Sequence, residues 1–208
     1  EIAQCLVGSE MCIRDSPEGV SYEDAATLDP CANAYHGLMR GSFKAGDSVC
    51  VCGTGPIGLF AAQYAKLCGA SQVIAVDVWD EKLDIAKKVG ADVTINSLNE
   101  DPVEAVKKAT DGKGANLVID FSGVPAAQKQ CILMASKMGR VVFLGISHKG
   151  LDLSEKEVDT IMRSQLSVIG SWNSFTKPYP GEDWTESLKM FGECGMLSLI
   201  HISEPTRH

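Results

Sequence analysis

Six short apolar runs, each followed or preceded by a helical pattern, and a glycine-rich turn after the first run predict an α/β fold. The expected architecture is a doubly wound, six-stranded parallel sheet with helices on both faces. Strands covered on both faces read as near-continuous apolar runs, as in Val73-Ile74-Ala75-Val76. Right-handed crossovers then give the strand order 3-2-1-4-5-6, with a ligand crevice outside the C-terminal ends of strands one and four.

The elements follow in order. Ser21, with Asp24 three residues on, opens a helix. Asp29-Pro30 interrupts it, and Cys31 to Arg40 is a second helix ended by Gly41. Gly46-Asp47 turns into strand one, Ser48 to Cys52. Helix one is Ile57 to Leu67, ended by Gly69. Strand two is Gln72 to Asp77. Helix two runs from Asp80 to Val89, with Leu83, Ala86 and Val89 on one stripe. Strand three is Asp92 to Ile95. Asp101-Pro102 caps and starts helix three, which runs to Ala109. Asp111 to Gly114 is a turn, and strand four is Asn116 to Phe121. Helix four is Pro125 to Met138, and strand five is Arg140 to Gly145. Ser154 with Glu157 is a capping box for a helix to Ser164. Strand six is Leu166 to Gly170, continuing toward Trp172.

The totals fit one such domain with flanking segments: 208 residues, 45% hydrophobic and 22% charged, are globular values. A formal net charge of −8 argues against a nucleic-acid or anionic-membrane surface. No apolar run is long enough to span a membrane, and the first residues lack the basic-then-apolar order of a signal peptide. A cytoplasmic location is expected. The eight cysteines include no C-x-x-C pair and no Cys/His cluster of structural-zinc spacing. Cys50 and Cys52 share one face of a strand, and Cys68 and Cys131 fall on helical apolar stripes, so reduced and mostly buried thiols are expected. Cys5 to Ser16 and Ser198 to His208 resemble translated sequencing-adapter sequence. Residues 1–16 are therefore expected to be artefactual or disordered and residues 198–208 artefactual, and Cys5, Cys12, His201 and His208 receive no role.

Chemistry concentrates at Gly53-Thr54-Gly55-Pro56-Ile57-Gly58. In this G-x-G-x-x-G spacing the first glycine permits a tight turn. The second lets backbone approach a pyrophosphate, and the third lets helix pack on strand. The free N–H groups of the helix start then hold the anion. Alone, the motif is weak. Here it follows a strand, opens a helix, and has an acid about 20 residues downstream. That acid, Asp77, ends strand two, where its carboxylate can accept from both adenosine ribose hydroxyls and would repel a 2′-phosphate. This favours NAD over NADP, against the reading of a surface aspartate at a strand end. Lys82 either flanks the adenosine or is solvated. Ser122-Gly123-Val124 and Leu144-Gly145-Ile146-Ser147 fall at the crevice rim, where a dinucleotide fold meets the nicotinamide half, unless their glycines merely make turns. Trp172 and Asn173 leave strand six on the same rim, the tryptophan as packing or as ligand contact. His36, single on a helix, reads as structural. No G-x-S-x-G elbow, H-E-x-x-H site or Tyr-x-x-x-Lys pair is present.

Gly53 to Gly58, Val76-Asp77-Val78 with Glu81 to Lys87, and Gly139-Arg140-Val141-Val142-Phe143-Leu144-Gly145 together resemble the medium-chain, zinc-dependent alcohol and polyol dehydrogenases over residues 17–196. Ala25-Ala26-Thr27-Leu28-Asp29-Pro30 falls where that family has an Ala-Ala run leading to Glu-Pro. Ile169 to Ser174 and Tyr179 to Trp184 are similar to galactitol-1-phosphate 5-dehydrogenases and their sorbitol-dehydrogenase-like relatives.

The resemblance implies a Rossmann domain at residues 47–172. Residues 17–46 become a helical lead-in from a catalytic domain, and 173–197 the start of the return to it. It implies NAD binding by Gly53, Gly55, Pro56, Ile57, Gly58 and Asp77, with Lys82 on the adenosine side. Leu144, Gly145, Ile146, Trp172 and Asn173 fall at family cofactor contacts. The implied reaction oxidises a secondary alcohol of a polyol or sugar alcohol (phosphate) to a ketone by hydride transfer, in a dimer or tetramer. The family's zinc ligands lie in the catalytic domain, so no metal site and no catalytic residue are expected here, and the isolated chain is expected to be inactive. Asp29 stands where the family has Glu. One methylene shorter, it is expected to support the zinc site without touching the metal. Two other readings remain: a non-catalytic dinucleotide-binding module, and a zinc-free quinone or enoyl reductase of the same superfamily, against which Asp77 speaks.

Overall fold

A computed structural model describes residues 22–174 and 181–197. Readings that fell on Ser21, on Tyr179-Pro180, and on residues 1–16 and 198–208 lie outside them. Two helices, α1 (Tyr22–Ala26) and α2 (Leu28–Arg40), precede the alternation β1 (Ser48–Cys52), α3 (Pro56–Leu67), β2 (Gln72–Asp77), α4 (Asp80–Lys88), β3 (Val93–Asn96), α5 (Pro102–Ala109), β4 (Ala115–Asp120), α6 (Pro125–Met134), β5 (Ala135–Phe143), α7 (Glu155–Arg163) and β6 (Ser167–Gly170), with α8 (Gly181–Gly192) last. The six strands form one sheet in the order β3-β2-β1-β4-β5-β6, and every pairing is parallel. This is the expected doubly wound Rossmann arrangement.

Strand periodicity divides the core. Val49, Val51, Val73, Ala75, Leu117 and Ile119 face one side, where they pack with Leu28 and Leu38 of α2, Phe60 of α3 and Phe191 of α8. Cys50, Cys52, Ile74, Val76 and Val118 face the other, against Val106 of α5 and Cys131 and Met134 of α6. Burying each Val, Leu, Ile or Phe contributes about 1.5–3 kcal/mol. Helix α8 seats Met190 and Phe191 in the first layer, with the Phe60 and Phe191 rings edge-on at 5.8 Å. His36 of α2 reaches α8, its Nδ1 lying 3.2 Å from Asp183 Oδ2. The histidine read as structural thus joins two helices. Among the described residues no helix is long and apolar enough to cross a membrane.

Three local expectations are corrected. The helix break lies at Thr27, and Pro30 sits in the first turn of α2, where the missing N–H has no intrahelical partner to lose. Helix α6 ends at Met134, not Met138. Ala135 already pairs with Ala115, the ladder shifts register, and pairing resumes at Arg140 with Leu117. Met138 takes φ +58° within that excursion. Strand β6 starts at Ser167 rather than Leu166. The Ser154–Glu157 box forms as expected, with Ser154 N–H donating to Glu157 Oε2 at 2.7 Å.

Candidate functional site

Strand β1 hands the chain to the glycine turn at the point where its neighbours separate. Gly53 N–H donates to Val76 O of β2, and Phe121 N–H, just past β4, donates to Cys52 O, both at 2.8 Å. Gly53 has φ +94°, open to glycine and strained for other residues. A Cβ on Gly58 would lie 2.0 Å from Gly53 O, so only glycine lets α3 rest on the turn. Gly55 is different: apart from its chain neighbours, nothing lies within 4 Å of a Cβ built there. It caps α3 without any side-chain hydrogen bond, and Pro56 follows at the first position. The first amides of α3 are thus offered to a ligand rather than to a capping side chain.

A cavity of about 350 Å³ lies over this helix start, lined by Gly53, Gly55, Pro56, Ile57 and Gly58 and, facing them, Asp77, Val78, Trp79, Lys82, Phe121 and Ser122. A second cavity of about 240 Å³ shares Gly53, Asp77, Val78 and Ser122 with it and is lined further by Cys52, Ser97, Val124, Ala126 and Ala127. A larger polar cleft of about 1020 Å³, lined by Gln72, Asp92, Lys113 and Asn116 among others, lies at the opposite, N-terminal ends of the strands and holds none of the expected site residues.

Asp77 is 9% exposed. Its Oδ2 accepts from Thr54 N–H (2.7 Å) and Thr54 Oγ1 (2.8 Å), and its Oδ1 from Val78 N–H (2.7 Å) and Trp79 N–H (3.1 Å). The carboxylate is therefore fixed between the turn and the start of α4, on the wall shared by both cavities. Lys82 lies in the first turn of α4 and is exposed.

The rim residues are brought together in part. Gly123 and Gly145 touch through their backbones, since a Cβ on Gly145 would lie 2.1 Å from Gly123 N. Leu144 packs under Gly37 of α2, its Cδ1 2.9 Å from a Cβ built there. Leu144, Gly145, Ile146, Trp172 and Asn173 line neither cavity. Trp172 is 68% exposed at the end of β6, and Asn173 beside it has φ +50°. Asp29 is exposed on the first turn of α2, where Asn33 Nδ2 donates to its carbonyl (3.0 Å) and to its Oδ2 (3.4 Å).

Four residues escape sequence reasoning. Thr54 and Trp79 adjoin the motif residues but carry no signature of their own. Phe121 looks like one more strand residue. Asp120, fully buried at the end of β4, accepts from Ser122 N–H (2.9 Å), Ser122 Oγ (2.6 Å) and Gln128 Nε2 (3.0 Å). Its only signal is an acid closing an apolar run.

The thiols lie where alternation put them. Cys50 and Cys52 sulfurs are 3.9 Å apart, and Cys31, Cys50, Cys52 and Cys131 are buried and free, while Cys68 is half-buried and Cys194 exposed. Contact with Cys52, and then burial, push the Cys50 and Cys131 thiols well above the usual range. Among the described residues no group of three or more His, Cys, Asp or Glu side chains could hold a metal ion.

The sequence profile of the zinc-binding dehydrogenases matches residues 56–193. L-threonine 3-dehydrogenase of Bacillus velezensis is 34% identical over 201 residues, covering 85% of this chain and 57% of its own length. Galactitol 1-phosphate 5-dehydrogenase of Escherichia coli K12 is 29% identical over 177 residues, covering 85% and 51%. The crystal structure of galactitol-1-phosphate dehydrogenase from Escherichia coli superposes with a TM-score of 0.82 at 30% identity, covering 88% of this chain and 53% of that one. The chain spans about half the length of the curated relatives it matches. Fold and family together support NAD binding. With the profile match over more than half its length and the glycine turn, the buried Asp77 at the end of β2 and the sheet order in place, this chain belongs to the zinc-binding dehydrogenase family.

Proposed function

We propose that this chain is the NAD(H)-binding part of an oxidoreductase that oxidises a secondary alcohol of a polyol or sugar alcohol (phosphate) to a ketone. The observation that carries this is the open face of Gly55 at an uncapped helix start, opposite a buried Asp77 and an exposed Lys82. The residues fit a dinucleotide. Gly53, Gly55, Pro56, Ile57 and Gly58 cradle the pyrophosphate on α3. Asp77 receives the adenosine ribose hydroxyls, and Lys82 flanks them. The adenine ring fills the neighbouring apolar cavity against Val78 and Val124; Ser122 and Val124, which line that cavity, then attend the adenosine side rather than the nicotinamide half expected from the sequence, with Gly123 between them. Leu144, Gly145 and Ile146, with Trp172 and Asn173 beyond, attend the nicotinamide. When bound, the cofactor supplies the hydride acceptor.

The described residues do not fit a zinc site, and no step is assigned to one. Asp29 is a candidate to support a zinc held by other parts of the protein. Residues 17–46 and 173–197 serve as the lead-in from, and return to, the domain that carries it. The polyol class rests on the Ile169–Ser174 likeness and on the galactitol 1-phosphate relative. Pairing of two copies is supported by the edge position of β6, by exposed Val168 on it, and by exposed Val158 and Met162 on the preceding helix α7.

Titrating the chain with NADH and NADPH by nicotinamide fluorescence tests the reading. NADH is expected to bind, and NADPH more weakly. An absence of NADH binding sinks the proposal, and tighter NADPH binding sinks the role given to Asp77. With NAD and galactitol 1-phosphate or sorbitol, the chain alone is expected to show no turnover, and turnover would refute that part.

A further inference from the structure

We propose that Asp120 is a positioning residue that locks the loops after β4 and β5 into one rigid rim for the dinucleotide, an inference that rests on the NAD(H) reading of the site. Asp120 has no exposed surface and stands at the end of β4, opposite Cys52, the last residue of β1. It holds the two loops by different atoms. Its carboxylate takes the first loop: Oδ1 accepts from Ser122 N–H (2.9 Å) and Ser122 Oγ (2.6 Å), and Gly123 N–H reaches both oxygens (3.3 and 3.2 Å). Its main-chain carbonyl takes the second, accepting from Leu144 N–H (3.0 Å) and Gly145 N–H (2.9 Å). Gln128 Nε2 donates to Oδ2 (3.0 Å) and ties the same carboxylate to α6.

The loops also press on each other. A Cβ on Gly145 would lie 2.1 Å from Gly123 N, and one on Gly123 would lie 2.2 Å from Ile146 O. Gly123 has φ +66°, so the first loop is held in a turn that favours glycine. Nothing in the strand ladder requires this acid. Every group its side chain binds is neutral and belongs to the loop or helix beyond β4. A buried carboxylate satisfied only by neutral donors adds little to stability compared with an apolar side chain of similar size. What it adds is a fixed position for Ser122 and Gly123, and through the glycine contact for Gly145.

Hydrogen exchange and NADH titration on the full chain test the lock. Asp120→Asn keeps the size and one acceptor oxygen, but puts a donor amide against the Gly123 and Gln128 N–H groups. Amides of 122–124 and also of 144–146 are expected to exchange faster, while Val118 and the rest of the ladder stay protected. NADH affinity is expected to fall about tenfold, as for the loss of a charge-assisted hydrogen bond. Gly145→Ala should weaken NADH comparably from the other loop. If the two loops act as one unit, the double variant loses at most about threefold beyond the worse single variant, instead of the product of the two losses. Multiplying losses, faster exchange in 122–124 alone, or faster exchange through the whole sheet each overturn the proposal. Should the wild-type chain bind no NADH, the cofactor reading fails, and exchange in the two loops still decides the lock. If Asp120→Asn does not fold, Ser122→Ala, which removes the hydroxyl's bond to Asp120 Oδ1 (2.6 Å) and the one it accepts from Val124 N–H (3.2 Å), should speed exchange in both loops with only a small fall in Tm. Unaltered exchange in 144–146 then overturns it.

Discussion

Thr54 gives Asp77 two hydrogen bonds on one oxygen, from its amide (2.7 Å) and its hydroxyl (2.8 Å). With Val78 and Trp79 amides on the other oxygen, the roughly four acceptor sites of a carboxylate are filled. A ribose hydroxyl must therefore share or displace a donor. The Thr54 hydroxyl is the one that can rotate away, since the others are backbone amides fixed by the fold. Thr54→Val keeps the amide bond and vacates one acceptor site. It is expected to bind NADH at least as tightly as wild type, with unfolding free energy lower by about 1–2 kcal/mol. Asp77→Ser removes the repulsion of a 2′-phosphate and should narrow the NADH-over-NADPH preference by about tenfold or more. An unchanged preference in parallel titrations counts against the ribose role.

The two later glycines of the turn separate folding from binding. A Cβ on Gly58 meets Gly53 O at 2.0 Å, whereas one on Gly55 meets nothing within 4 Å. Gly58→Ala must move α3 off the turn and is expected to cost about 3 kcal/mol of stability, at the upper end for a point substitution. Gly55→Ala is expected to unfold at the wild-type temperature yet lose NADH affinity, because the new methyl occupies the approach of the pyrophosphate. Thermal melts and fluorescence titrations on the same two variants check this. A Gly55→Ala chain that binds NADH normally would show that the anion lies elsewhere.

Much of this was legible because it is local. Ser48–Cys52 and Gln72–Asp77 are apolar runs bounded by turns, and the glycine spacing names its own geometry. What failed to show is set by distant contacts. Helix α6 stops at Met134 because a crossing segment governs it: a Cβ on Gly114 would lie 2.6 Å from Met134 O, and Ala135 is drawn into the ladder opposite Ala115. Asp120 looked like one acid among 27 acidic residues, since its role depends on Ser122, Gly123, Gln128 and Gly145 meeting at one strand end. The rim residues Trp172 and Asn173 were placed by register at the correct end of the sheet, but no pattern shows that they stand outside both cavities.

The buried Cys31 thiol makes stability fall at alkaline pH. Burial pushes the Cys31 thiol up to about 12, against a smaller opposing hydrogen bond with Ser187. Cys50 and Cys131 are raised by the same contacts that lower Cys52, so the decline is assigned to Cys31. An unfolded thiol ionises near 9. Below that pH both states keep the proton and stability is fully present. Between about 9 and 12 the unfolded chain has lost a proton that the folded chain retains, so stability declines as pH rises, by about 1.4 kcal/mol per unit for this thiol. The Tyr35 and Tyr64 phenols, raised chiefly by burial, extend the loss to higher pH. Urea midpoints measured from pH 7 to 11 should bend downward near 9, and Cys31→Ala should make the decline shallower. An equal slope in the variant would show that this thiol ionises in the folded state.

The open edge of the sheet bears on assembly. Among the described residues strand β6 pairs only with β5, and Ser167, Val168 and Gly170 along it are exposed. Helix α7 adds Val158 at 44% and Met162 at 70% exposure, with Val168 itself at 43%. An unpaired parallel edge with apolar side chains is a template for another strand; this one carries neither proline nor lysine, although it is only four residues long and Arg40 donates to Gly170 O at 3.4 Å. Two copies meeting edge to edge would satisfy its free backbone groups and cover these side chains. Wild-type chain is therefore expected to sediment as a dimer at micromolar concentration. Val168→Lys and Met162→Lys change exposed positions, so each should fold with an unaltered far-UV spectrum yet sediment as a monomer. A wild-type monomer, or dimers that persist in both variants, would place the contact elsewhere or remove it.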